Sequence, residues 1–156
     1  MTKMLKIKDS HILFAATGCY SGYSPYVPGT AGSLAAIPAC LIFMLMPHWL
    51  HAVCLAALIP FSFWVCGRAA SIIGKEDPGC IVLDEFVGMI ITMSGVKISF
   101  LNLAAGFILF RVFDIIKPWP IRWLDRYVKG GLGIMADDVL AGVFGLVVMQ
   151  ALHHYY

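Results

Sequence analysis

The sequence predicts an all-α membrane protein: a small polytopic bundle of about five apolar helices, some short or re-entrant, with a short helix in the membrane interface. Three observations predict it. Hydrophobic residues make up 60% of the chain and charged residues 13%, with a mean hydropathy of +0.85; a soluble domain is about 45–50% apolar and about 25% charged. The apolar residues gather in runs at 32–46, 49–67, 81–94, 100–116 and 139–152. The basic residues collect at one set of ends of those runs, which is the signature of an oriented span.

Taken in order, Lys3, Lys6 and Lys8 precede Ile12-Leu13-Phe14-Ala15-Ala16. This imitates a secretory leader, but the apolar core is shorter than the roughly 7–15 residues such a leader needs. Residues 1–20 therefore read as a basic arm with an interfacial helix, 21–152 as a catalytic helical bundle and 153–156 as a tail, all in one integral-membrane domain, 1–156. Several runs fall short of the roughly 20 residues of a straight span, so helices extend past the bilayer on one side, or one or two are re-entrant. Pro38 and Pro60 are expected to kink the first two.

Charge sets the direction. Lys3, Lys6, Lys8, Arg68, Lys75, Lys117, Arg122, Arg126 and Lys129 fall at one set of ends, and Lys97 at the other. The positive-inside rule then puts the N-terminus in the cytoplasm and, with five spans, the C-terminus outside. All nine acids, not used in that argument, lie on or near the same side. Chemistry is expected at the cytoplasmic face.

Composition also excludes. A net charge of +2 gives no footprint for nucleic acid. The five cysteines are scattered without Cys-x-x-Cys spacing, which indicates neither a zinc site nor a disulfide framework; they read as reduced packing residues. No internal repeat is visible, which weighs against a transporter.

Four stretches carry candidate chemistry. Ser21-Gly22-Tyr23-Ser24-Pro25-Tyr26-Val27-Pro28-Gly29-Thr30-Ala31-Gly32-Ser33 leads into the first run. Its glycines and a helix N-terminus suit a phosphate, or it is an ordinary turn with Thr30 or Ser33 as N-cap. The second stretch places Glu76 and Asp77 in a loop, which reads as solvated, then Asp84 and Glu85 inside an apolar run. A buried lone carboxylate must neutralise, pair or bind a metal, although acids in a first helical turn also suit the macrodipole. Gly88, one turn beyond Asp84, leaves room for a neighbour.

The third stretch holds Arg111, Asp114 and Lys117 at i, i+3, i+6, then Pro118 as a helix stop. Trp119, Arg122, Trp123, Asp125 and Arg126 follow in a short segment fit for the headgroup level, where they either anchor the chain or meet a ligand. The fourth runs Lys129-Gly130-Gly131-Leu132-Gly133 into Asp137-Asp138, with Ala141 and Gly142 beyond; it reads as glycines preceding a helix whose first turn carries both acids. Carboxylates with no histidine among them suit a hard ion, and Mg²⁺ fits best. Beside Arg and Lys at headgroup depth, such an ion makes a phosphate-handling site.

Together these stretches resemble the phosphatidylglycerophosphatase A family. The matching strings are Ser24-Pro25…Val27-Pro28-Gly29-Thr30-Ala31-Gly32-Ser33, Ile81-Val82-Leu83-Asp84-Glu85-Phe86-Val87-Gly88-Met89, Arg111-Val112-Phe113-Asp114-Ile115-Ile116-Lys117-Pro118-Trp119-Pro120-Ile121 and Gly130-Gly131-Leu132-Gly133-Ile134-Met135-Ala136-Asp137-Asp138…Ala141-Gly142. The resemblance implies Mg²⁺-dependent removal of the terminal phosphate of phosphatidylglycerophosphate, giving phosphatidylglycerol at the inner membrane. Asp84, Glu85, Asp137 and Asp138 are then expected to hold Mg²⁺ and Asp114 to serve as ligand or base. Thr30, Ser33, Arg111, Lys117 and Arg122 are expected to bind phosphate.

Two other classes compete. A divalent-cation transporter predicts acids through the whole membrane depth, whereas these gather at one face. A non-catalytic lipid-binding protein accounts for Trp119 and Trp123 but gives no reason for five carboxylates at apolar ends. Among enzymes, the acid spacing of CDP-alcohol phosphotransferases and the Arg/His motif of histidine-dependent lipid phosphatases are absent.

Overall fold

One central helix is wrapped by others. The computed structural model describes the backbone of residues 7–155 and the side chains of 9–152. The basic arm through Lys8, expected to bear on the membrane, and the tail from His153 lie outside these described side chains. Among the described residues every regular element is helical: α1 (Ile7–Ala16), a 3-10 turn (Ser21–Tyr23), α2 (Pro28–Ala35), α3 (Ile37–Met44), α4 (His48–Ile73), α5 (Leu83–Thr92), α6 (Phe100–Ile116), α7 (Ile121–Tyr127) and α8 (Gly130–Tyr155).

α5 is the wrapped helix. All its residues except Leu83 and Phe86 are buried, and α2, α3, α4, α6 and α8 pack around it. One of its faces joins Val65, Cys66, Ala69 and Met135 in a core with α4 and α8. The other joins Cys40, Phe110 and Met149 with α3, α6 and α8. Apolar residues all round a helix produce this double burial; a half-exposed helix needs only a stripe.

The apolar runs translate into helices unevenly. α4, 26 residues long, and the 23-residue stretch Gly130–Leu152 of α8 are long and apolar enough to cross a membrane, each with a mean hydropathy of 1.9. α4 reaches past its apolar run to Ile73, as an extended span would. The run at 32–46 is instead broken at Ala36 into α2 and α3. Pro38 sits in the first turn of α3, where a missing N–H costs nothing, so the helix restarts there. α4 continues as helix through Pro60. Pro118 follows the end of α6, as expected of a residue that cannot extend the helix.

The fourth candidate stretch departs most from its sequence reading. α8 begins at Gly130, so Asp137 and Asp138 lie in its third turn rather than its first. Gly131 lies against Gly67 of α4, and Gly133 against the backbone of Val128. Glycines that would weaken an isolated helix are favoured here because backbones meet.

The same device seats α8 on α5. A Cβ on Gly142 would lie 2.6 Å from Gly88 O and 3.0 Å from Gly88 Cα. The Thr92 hydroxyl donates to Gly88 O at 2.9 Å and shares its proton with Gly142 O at 3.3 Å, across the helix pair. In lipid such close packing and interhelical hydrogen bonding replace the hydrophobic effect as the force between helices. Gly142→Ala therefore pushes two backbones apart and is expected to lower stability by about 1–3 kcal/mol. Thermal unfolding in detergent reads this, and an unchanged midpoint would remove the helix contact from the account.

At the opposite end from the acids, His51 Nδ1 lies 3.0 Å from Phe43 O and Nε2 lies 2.9 Å from Ser94 Oγ. That link ties α3, α4 and the end of α5 together, leaving the other end of the bundle to the charged residues.

Candidate active site

Four segments deliver carboxylates to one place. Asp84 and Glu85 stand in the first turn of α5, 9% and 8% exposed, and Asp137 and Asp138 are 6% and 5% exposed on α8. Asp114 comes from the last turn of α6 and Asp125 from α7. The N-terminus of α5 is held by Val82, whose N–H donates to Ala16 O at 2.9 Å, and by Gly32 of α2 pressed against the Val82 side chain. This fixes where Asp84 and Glu85 emerge.

One oxygen each from Asp84, Glu85 and Asp138 lies within 4.8 Å of the others, and the same holds for Asp114, Asp137 and Asp138. Asp138 belongs to both groups. All three ion pairs among the described side chains are at this end. Arg111 Nη1 donates to Asp114 Oδ2 at 2.6 Å, and Lys117 Nζ donates to Asp125 Oδ1 at 2.7 Å and to Asp137 Oδ2 at 2.5 Å. Burial disfavours the charged form of Lys117, but the bonds to Asp125 and Asp137 outweigh it and hold the ammonium above its ordinary pKa.

These two cations cannot balance six carboxylates. Glu85 Oε2 and Asp137 Oδ1 are buried without a hydrogen-bond partner, and a buried anionic oxygen left unpaired is costly. The convergent groups among the described residues consist of carboxylates alone. All-oxygen donors with orphaned anionic atoms fit a small hard cation such as Mg²⁺.

The acids line a cavity of about 230 Å³. Sequence reasoning brought Asp84, Glu85, Asp114, Lys117, Asp137 and Asp138 to it, and all six line it. Thr30, Ser33, Arg111 and Arg122 do not. Ser33 is buried and its hydroxyl donates to Gly29 O at 2.8 Å, inside its own helix. Neither Thr30 nor Ser33 caps α2, which starts at Pro28 with no side-chain cap. Gly29 of that stretch lies close to the acids: a Cβ there would lie 2.7 Å from Glu85 Oε1 and 3.1 Å from Arg111 Nη1. Arg122 faces another cavity on α7 and donates to Ile116 O at 3.1 Å.

Four charged residues of the cavity wall escaped sequence reasoning as site residues. Glu76 and Asp77, read as a solvated loop, are exposed but line it, as do Asp125 and Lys129. Their signal was proximity to Asp84 and Asp137 along the chain, masked by their polar surroundings.

The family profile described as Phosphatidylglycerophosphatase A matches residues 14–153, a span that contains every carboxylate of the cavity. The Phosphatidylglycerophosphatase A of Escherichia coli K12 is 44% identical over 147 residues, covering 94% of this chain and 84% of that one. The Haemophilus influenzae protein of the same name is 35% identical over 157 residues, with 99% and 95% covered. A Bacteroides thetaiotaomicron protein named "Putative phosphatidylinositol-3-phosphatase" is 40% identical over 144 residues, with 85% and 87% covered. No solved structure gives a significant match. Buried acids meeting from separate helices thus coincide with a profile match over nearly the full length, and the chain belongs to the phosphatidylglycerophosphatase A family.

Proposed function

We propose that this chain is a Mg²⁺-dependent phosphatase that hydrolyses the terminal phosphate of phosphatidylglycerophosphate to give phosphatidylglycerol. The observation that carries the reading is the convergence of Asp84, Glu85, Asp114, Asp137 and Asp138 in two groups sharing Asp138, in a chain of this family. Asp84, Glu85, Asp137 and Asp138 would hold Mg²⁺, which when bound supplies Lewis-acid polarisation of the phosphoryl oxygens. Asp114 accepts a proton from the attacking water or joins the ligand set. Lys117, reaching into the cavity between Asp125 and Asp137, offsets the charge of the transferring phosphoryl group. Arg111 keeps Asp114 in place, and Gly29 lets α2 approach Glu85.

The same reading takes residues 21–152 as one catalytic membrane unit of about five crossing or re-entrant apolar segments, with α7 in the interface. Arg68, Lys75, Lys117, Arg122, Arg126 and Lys129 share the end that bears the acids, and Lys97 stands at the other, which supports an inner-membrane orientation with the cavity facing the cytoplasm. The substrate headgroup is within reach at that depth.

Purified protein in neutral detergent micelles with Mg²⁺ should release inorganic phosphate from phosphatidylglycerophosphate and leave phosphatidylglycerol, scored by phosphate assay and lipid chromatography. Absence of release from this lipid would end the assignment.

A further inference from the structure

Two adjoining cavities share one residue. Lys117 lines the carboxylate cavity and also a second one of about 370 Å³, formed where α6 gives way to α7. Their chemistries are opposite. The first is walled largely by acids. The second has Lys117, Trp119, Arg122, Trp123, Arg126 and Tyr127 in its wall and no carboxylate.

α7 builds this second groove by its spacing. Arg122 and Arg126 are one turn apart, as are Trp123 and Tyr127, whose rings lie 5.6 Å apart. Ile121, fully buried, anchors the helix from behind. The outward side nevertheless carries large aromatic surface: Trp119 is 82% exposed and Tyr127 70%. Water alone does not favour such a face, whereas the headgroup layer suits rings with one polar edge. Arg126 has no ion-pair partner among the described side chains, so its guanidinium is available to an outside anion.

Resting on the function proposed above, we infer that this groove binds the internal phosphodiester of the lipid substrate and so selects it. Phosphatidylglycerophosphate carries two phosphates joined by a three-carbon glycerol: a terminal monoester and a diester to diacylglycerol. With the monoester among the carboxylates and their cation, the glycerol passes Lys117 and the diester falls on the Arg122–Arg126 side. Guanidinium groups grip phosphate oxygens by paired hydrogen bonds, and Trp119 and Trp123 cover the adjoining lipid. A lipid whose single phosphate sits directly on diacylglycerol cannot fill both cavities.

The test measures binding, so it is separate from turnover. Phosphatidylglycerol, which keeps the diester and lacks the monoester, is titrated against the full-length protein in neutral micelles of fixed detergent concentration, and inorganic phosphate is titrated in parallel. Arg126→Gln should weaken phosphatidylglycerol binding by about tenfold and leave inorganic phosphate binding within twofold, as about expected for an independent site. Arg126→Lys should fall between, since it keeps the charge and loses the fork. Lys75→Gln, which removes a cation near the rim but outside the groove, should change neither. Unchanged phosphatidylglycerol affinity in Arg126→Gln overturns the inference. So does an equal loss for both ligands, or a matching loss in Lys75→Gln, which would mark a general charge effect. So, too, does a matching loss of partition into phosphatidylcholine micelles, which would mark anchoring alone. Failure of the wild type to hydrolyse phosphatidylglycerophosphate would remove the proposed activity, while these isotherms still decide the groove.

Discussion

Asp138→Asn and Asp84→Asn are each expected to lower phosphate release from phosphatidylglycerophosphate by at least about 100-fold, a loss of a few kcal/mol in transition-state stabilisation. Asn keeps the volume and removes the charge, so packing at the α5–α8 contact is retained. Asp138 is expected to be the more damaging because its oxygens serve both carboxylate groups. Asp84 participates in one of them, and its Oδ1 already accepts from Glu85 N at 3.1 Å. Turnover is measured on purified variants whose unfolding midpoints match the wild type. Near-normal rates in both would detach the chemistry from these carboxylates.

Removing Mg²⁺ is expected to have the next largest effect, with a readout that does not depend on activity. Chelation leaves the acids facing one another with Lys117 and Arg111 as their cations. Adding Mg²⁺ to chelated protein is expected to stabilise it by about 2.7 kcal/mol at a hundredfold excess over its dissociation constant. A rise in the unfolding midpoint of the wild type should accompany restored phosphate release, and Asp138→Asn should lose most of both. A midpoint indifferent to Mg²⁺ in the wild type would argue that the acids are held by some other means.

Much of this site was legible in the sequence because an acid inside an apolar run is expensive and must have a reason. Asp84, Glu85, Asp137 and Asp138 stood out on that ground alone, without knowledge of which helices meet. That they should meet was expected from the sequence, but how the backbones bring them together was not, since it depends on the close approach of Gly88 and Gly142. The start of α8 was misread for a related cause. Gly130, Gly131 and Gly133 look like a loop by propensity, and only the closeness of Gly67 and Val128 explains helix there. Ser33 illustrates the opposite error: a hydroxyl near a helix start reads as a cap or phosphate ligand, yet it bonds within its own turn. Glu76, Asp77 and Asp125 sit in polar stretches where charge is cheap, so nothing local distinguished wall residues from solvated ones.

The acid-bearing helices α5, α6, α7 and α8 follow one another along the chain, and α8 is the last of them to leave the ribosome. Until it docks, Asp84 and Glu85 keep more of their water, and neither carboxylate group is complete, because Asp138 belongs to both. On the function proposed above, chains that lack α8 are expected to release no phosphate, so the activity would switch on only when that helix seats against α5.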